Sequence, residues 1–155
     1  MTSIISITVE WDRARKLTPI GPKTAAGQLV MPDALTAEVR YANHISAKYT
    51  FKLIDGKLRL MAIQAENPLY GLNSVDLINI KIPAIAKEAV KEVNREVLSK
   101  LSTTTQEELA QCYMSEYICG GAPRQLLMSM RGWSRSNTNF HIKKLEKAGL
   151  IPEDR

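Results

Sequence analysis

The run Arg131-Gly132-Trp133-Ser134-Arg135 through Ala148-Gly149-Leu150 constrains this chain more than any other part of it. Gly132 can take the left-handed backbone of a tight turn, Ser134 can cap a following helix through its hydroxyl, and Gly149 can close that helix at its far end. These stops predict a helix from Arg135 to Ala148. At about 100° per residue, Thr138, Ile142 and Leu145 share one face with His141 and Ala148 beside them. Ser136, Asn139, Phe140, Lys143 and Lys147 occupy the opposite face. One face can be buried while the other enters a groove.

The residues upstream complete the unit. Leu109, Ala110, Tyr113, Tyr117 and Ile118 are spaced as on a helix from Gln106 to Tyr117, and Gly120-Gly121 breaks it. Pro123 suits the first turn of a second helix over about 122–130, expected to pack Leu126, Leu127 and Met130 on the first. Five residues follow Leu150, fewer than the two strands of a wing need. The expectation is therefore a wingless three-helix helix-turn-helix unit over 104–155.

Charge concentrates in the same place. Between residues 122 and 148, Arg124, Arg131, Arg135, Lys143, Lys144 and Lys147 stand against Glu146 alone, an excess equal to the formal net charge of +5 for the whole chain. Such a cluster neutralises phosphates and releases counterions, the sequence-independent part of DNA affinity. Taken alone it is better read as a solvated helix face; the turn and the preceding helix tip the balance toward double-stranded DNA as partner.

Two segments resemble a group of helix-turn-helix regulators found in actinobacterial genomes and their phages. One is Asn73-Ser74-Val75-Asp76-Leu77-Ile78-Asn79-Ile80-Lys81-Ile82-Pro83; the other runs from Gly121-Ala122-Pro123-Arg124 through Gly132-Trp133-Ser134-Arg135-Ser136 to Ala148-Gly149-Leu150-Ile151. The resemblance implies a transcriptional or mobile-element regulator whose third helix enters the major groove. The chain departs from the group's pattern at Phe140, where a basic residue is common, and at Arg131, where an apolar one precedes the turn glycine.

The first half has a different period. Ile5, Ile7, Val9 and Trp11 alternate with polar residues, as do Ala37, Val39 and Tyr41, so each predicts a half-buried strand. Between them Pro19, Gly21, Pro22, Gly27 and Pro32 interrupt any regular element from Asp12 to about Ala34. Arg13, Arg15, Lys16 and Lys23 make that loop basic, either a surface connection or an arm on DNA. Tyr49 to Leu60 contains two alternating runs joined by Asp55-Gly56, residues that tolerate the positive φ of a type I′ turn. The resulting hairpin sets Leu53 against Leu58, Phe51 against Leu60 and Lys52 against Arg59. A small antiparallel sheet of three or four strands follows, with one apolar face to cover.

The expected cover is a helix beginning after Ile82-Pro83 and ending near Leu101, with Ala86, Val90, Val93, Val97 and Leu101 in a stripe that Ile85 and Ala89 widen. Ala86, Val90, Val93 and Val97 also fit a short seam between two copies, so a homodimer is expected to use this helix together with the sheet. Thr105 and Glu108 form a capping box for the next helix. The fold class is thus α+β, divided into a β-rich oligomerisation domain at 1–82, a connecting helix and linker at 83–103, and the helical unit at 104–155.

The chain of 155 residues suits one ordinary domain or two small ones. No apolar run reaches the ~18 residues of a membrane span, and the start lacks a signal peptide's apolar core, so a cytoplasmic protein without membrane partners is expected. Cys112 and Cys119, seven apart on one predicted helix, are expected to be reduced. With only His44 and His141 beside them, neither a metal site nor a cofactor is expected. No nucleophile with a base, phosphate cradle or Gly-x-Ser-x-Gly elbow is present in the sequence, so no catalytic residue is assigned and an enzyme is not expected.

The sequence thus points to a DNA-binding transcriptional regulator that reads the major groove with 135–148. Its candidate DNA contacts are Arg124, Arg131, Ser134, Arg135, Ser136, Asn137, Asn139, Phe140, Lys143, Lys144 and Lys147. The alternative is an interaction module in which Phe140, with Asn139 and Lys143, docks on a host regulator or polymerase subunit.

Overall fold

Asp55 and Gly56 carry φ angles of 52° and 75°, the double left-handed turn that matches the twist of a two-residue hairpin. The computed structural model describes residues 3–73, 81–101 and 105–153. Most of the first resembling segment (74–80) and most of the expected linker loop (102–104) lie outside the described residues. The turn joins β5 (Ser46–Ile54) to β6 (Lys57–Glu66), with Leu53 opposite Leu58, Phe51 opposite Leu60 and Lys52 opposite Arg59. The ladder then skips Met61, so that Thr50 meets Ala62. With β4 (Ala34–Tyr41) and β1 (Ile4–Glu10) the strands form a four-stranded antiparallel sheet in the order β1-β4-β5-β6.

Alternation decides which side is buried. Val9, Leu35, Ala37, Val39, Ala47, Tyr49 and Phe51 turn inward, while Glu38, Arg40, Lys48 and Lys52 face out. The Tyr49 hydroxyl is bonded to that of Tyr41 at 2.7 Å, and burial, with that bond, raises its pKa well above the ordinary phenolic value.

Helix α1 (Ile82–Val93) begins with Pro83 in its first turn and lays Ile85, Ala86, Ala89 and Val90 on the sheet. Ala86 and Val90, half of the expected seam between copies, are therefore buried within the chain. The expected single helix to Leu101 is also interrupted: Asn94 leaves helical geometry at φ −115°, ψ 28°, and a short α2 (Arg95–Lys100) follows. The Asn94 amide donates to the carbonyls of Val30 at 2.9 Å and Val90 at 3.0 Å, and its oxygen accepts from the Val30 N–H at 2.8 Å. An amide side chain that satisfies both polar groups of a passing backbone is held there even at the cost of a helix break.

That backbone belongs to the loop expected to lack regular structure. Thr18–Pro19 (β2) and Val30–Met31 (β3) form a two-residue ladder. Neither of the expected roles describes its second half, because Leu29 is fully buried among Leu109, Ala110, Tyr113, Leu127, Ile142 and Leu145. Gln111 fixes the insertion by donating to Thr24 Oγ1 at 2.6 Å and to the Gly27 carbonyl at 3.0 Å. In the basic first half, Arg13 lies over the Trp11 ring at 4.0 Å and Arg15 pairs with Asp12 at 3.8 Å.

Helix α3 (Gln106–Ile118) is capped by Thr105, whose hydroxyl accepts from the Glu108 N–H at 3.2 Å. It serves both cores: Leu109, Ala110, Tyr113 and Met114 join the helical cluster, Ile118 and Cys119 the sheet cluster. Cys112 and Cys119 are buried free thiols. Burial, reinforced by Glu116 and partly offset by Lys87, pushes Cys119 up to about 12, so its thiol stays protonated.

Among the described residues no helix is long and apolar enough to cross a membrane, and no group of three or more His, Cys, Asp or Glu is placed to hold a metal ion.

Candidate nucleic-acid interface

After α3, Gly120 reverses the chain at φ 74° and Gly121 packs against Glu116, where a Cβ would lie 2.3 Å from the carboxylate oxygen. Helix α4 (Pro123–Arg131) starts on Pro123 and buries Leu127 fully against the helical core. Leu126 and Met128 flank it half-buried, whereas Met130, expected in the core, is 40% exposed. The contact line of α4 runs through Leu127, with neighbours about 100° to either side, rather than between Leu126 and Met130.

Gly132 then turns left-handed at φ 67°, ψ 25°, and its N–H closes on the Met128 carbonyl at 2.9 Å. Two residues on, Ser134 caps α5 (Arg135–Lys147) by accepting the Asn137 N–H at 3.2 Å, and its carbonyl accepts from Thr138 Oγ1 at 2.8 Å. Thr138, Ile142 and Leu145 are buried. At the far end Gly149 N–H bonds to Glu146 O and Leu150 N–H to Leu145 O, each at 3.0 Å, the paired bonds of a Schellman stop.

These constraints aim the rest of α5 outward. Ser136, Phe140, Lys143 and Lys147 recur at helical spacing on its exposed side, joined by Arg135, Asn137 and Lys144. Arg124, Arg135, Lys143 and Lys147 take part in none of the ion pairs among the described residues. Arg124 and Gln125 of α4 face Arg135 of α5 across a cleft floored by Tyr113, Met128 and Ile142, with no acidic residue in its wall. Two guanidinium groups beside one apolar floor can grip a phosphate or a carboxylate.

A second arrangement lies across the turn. Trp133 stacks on His141 with centroids 4.0 Å apart and planes 7° from parallel, and Phe140 meets the same imidazole edge-on at 5.6 Å. Arg131 lies over Trp133 at 5.2 Å and Lys144 over Phe140 at 4.7 Å, so cations border the aromatic row at both ends. Desolvation against the rings, then the charges of Lys144 and Arg131, lower the pKa of His141 below its ordinary 6.5.

The candidate residues therefore fall into distinct settings. Arg124 and Arg135 share the cleft, Arg131 and Lys144 border the aromatic row, and Ser136, Asn137, Phe140, Lys143 and Lys147 stand on the open face. Ser134 already uses its hydroxyl as a cap. Asn139 is half-buried at the edge of the face, its Oδ1 enclosed and without a hydrogen-bond partner. The Trp133–His141 stack was not foreseeable from the pattern along the chain: a Trp just before a capping Ser is its one local sign, since the contact depends on the angle of the turn.

The chain matches no family model, no curated protein and no solved structure.

Proposed function

We propose that this protein is a sequence-specific DNA-binding transcriptional regulator in which α3, α4 and α5 act as a wingless helix-turn-helix unit and α5 reads the major groove. The observation that carries this reading is the basic open face of α5, continuous with the Arg124–Arg135 cleft and held by a glycine turn and a serine cap. Arg124, Arg131, Lys143, Lys144 and Lys147 contact phosphates and set the helix in the groove. Ser136 and Asn137 meet base edges, Arg135 reaches guanine or phosphate, and Phe140 contacts a thymine methyl, whereas Asn139, its Oδ1 enclosed, stands at the margin of the contact. The protein works in the cytoplasm as a homodimer on two half-sites about one helical turn apart, as a regulator of phage or mobile-element genes. It needs no cofactor and performs no catalysis.

The test is selection of bound sequences from a random duplex pool, followed by titration of the winner at several salt concentrations. A consensus together with steep loss of affinity on adding salt supports the reading. Absence of enrichment and of salt-sensitive binding would overturn it.

One observation favours a second reading. Phe140 is 56% exposed with Lys144 over its ring, the composition of an anchor for a partner protein such as a host regulator or polymerase subunit. Binding through such an anchor responds weakly to salt and strongly to loss of the ring.

A further inference from the structure

Strand β6 closes the sheet on the side away from β1, and among the described residues it pairs on one side alone, with β5. Over ten residues it offers unpaired backbone donors and acceptors to a further strand. It has no proline, and no charge interrupts it between Arg59 and Glu66. Met61 is 52% and Ile63 42% exposed at its centre, a long apolar edge of the kind that lone chains avoid.

We infer that β6 is the contact between two copies of this chain, paired antiparallel across a twofold axis that passes between Met61 and Ala62. Leu60 then lies opposite the partner's Ile63, Arg59 opposite the partner's Gln64, and Lys57 opposite the partner's Glu66. The irregularity at Met61 is what permits this register. Directly opposed residues share a face of the sheet, and an axis between adjacent residues of a regular strand would oppose inward to outward side chains. Here Leu60, opposite Phe51, and Ile63, opposite Tyr49, both face inward because Met61 adds one residue between them. The same shift puts Arg59, opposite Lys52, and Gln64, opposite Lys48, on the outer face. Both helix layers consequently lie on one side of an eight-stranded sheet.

Charge supports a second copy as the occupant. The strand is basic at Lys57 and Arg59 and acidic at Glu66, so an antiparallel twofold brings unlike ends together twice. The opposite edge, β1, has seven residues and Glu10 as its sole charge, and offers no such complement. The β6 contact lies on the sheet and uses none of the candidate DNA-contacting residues.

The experiment is sedimentation equilibrium of the full chain without DNA over a range of concentrations, for the native protein and three variants. The native chain should reach twice its 17.3 kDa mass. Gln64→Glu, which sets a carboxylate against the partner's Arg59 at two symmetric places, should tighten the dimer roughly two- to thirty-fold, and Gln64→Lys should weaken it comparably. Ile63→Lys should leave a folded monomer; should it fail to fold, the Gln64 pair still decides. A single-chain mass throughout, or a dimer indifferent to both Gln64 substitutions, overturns the inference.

Discussion

Replacing Asn94 with Ala tests how the two halves are joined. The side chain makes hydrogen bonds of 2.8, 2.9 and 3.0 Å, two to Val30 and one to the Val90 carbonyl, and is 2% exposed. At a net worth of about 1 kcal/mol each, their loss costs about 3 kcal/mol. The Val90 carbonyl keeps a partner, because the backbone N–H of residue 94 also reaches it at 3.0 Å. Alanine returns at most ~0.7 kcal/mol through its greater helix propensity. The expected net loss is about 2–3 kcal/mol, a large part of the ~5–15 kcal/mol that typically stabilises a domain. Urea unfolding should be followed in single-tryptophan versions that retain Trp11 on the sheet side or Trp133 on the helical side. Both midpoints should fall together, since β3 is tied to the sheet's helix and adjoins Leu29 in the helical core. A loss below about 0.5 kcal/mol would refute the reasoning, because it would make Asn94 an ordinary surface position.

Arg124→Ala and Lys144→Ala should each weaken binding to every duplex alike and flatten the logarithmic salt slope by about one unit, measured by fluorescence anisotropy; an unchanged slope removes them from the phosphate contacts. Phe140→Ala should lower preference at a thymine position while leaving non-specific affinity nearly intact, a difference read by competition between selected and random duplexes. If the ring's loss spares all DNA binding and abolishes capture of a protein partner, the docking reading replaces the groove one. His141 is held below its ordinary pKa in the folded chain, so the unfolded chain takes up its proton first as pH falls. Its contribution to stability should decline from about pH 6.5 downward and level off below the folded pKa. His141→Phe should remove that decline, as followed by thermal melting from pH 7.5 to 5; an identical pH profile in both proteins would contradict it. Ser134→Ala should cost ~0.5–2 kcal/mol through the lost cap, measured by urea unfolding, and a neutral result would remove the hydroxyl from the turn's support.

What was legible in the sequence is what neighbours within a few residues decide. Asp55-Gly56 and the alternation around it determined a hairpin and its register, because the turn requires left-handed residues and the flanking period assigns each side chain to a face. The stops at Gly132, Ser134 and Gly149 determined the ends of α5, and its apolar spacing placed Thr138, Ile142 and Leu145 inside, leaving the basic face outward. Periodicity, however, reveals that a face is apolar and not what covers it. Val30 and Asn94 are 64 residues apart and Thr24 and Gln111 are 87 apart, so neither the helix break nor the burial of Leu29 has a local sign. For the same reason Asn139 and Phe140, adjacent on the same predicted face, part company: one is half-enclosed and the other stands open. Tertiary structure decided these points, because burial and hydrogen-bond satisfaction depend on which distant backbone arrives, and no window along the chain contains both partners.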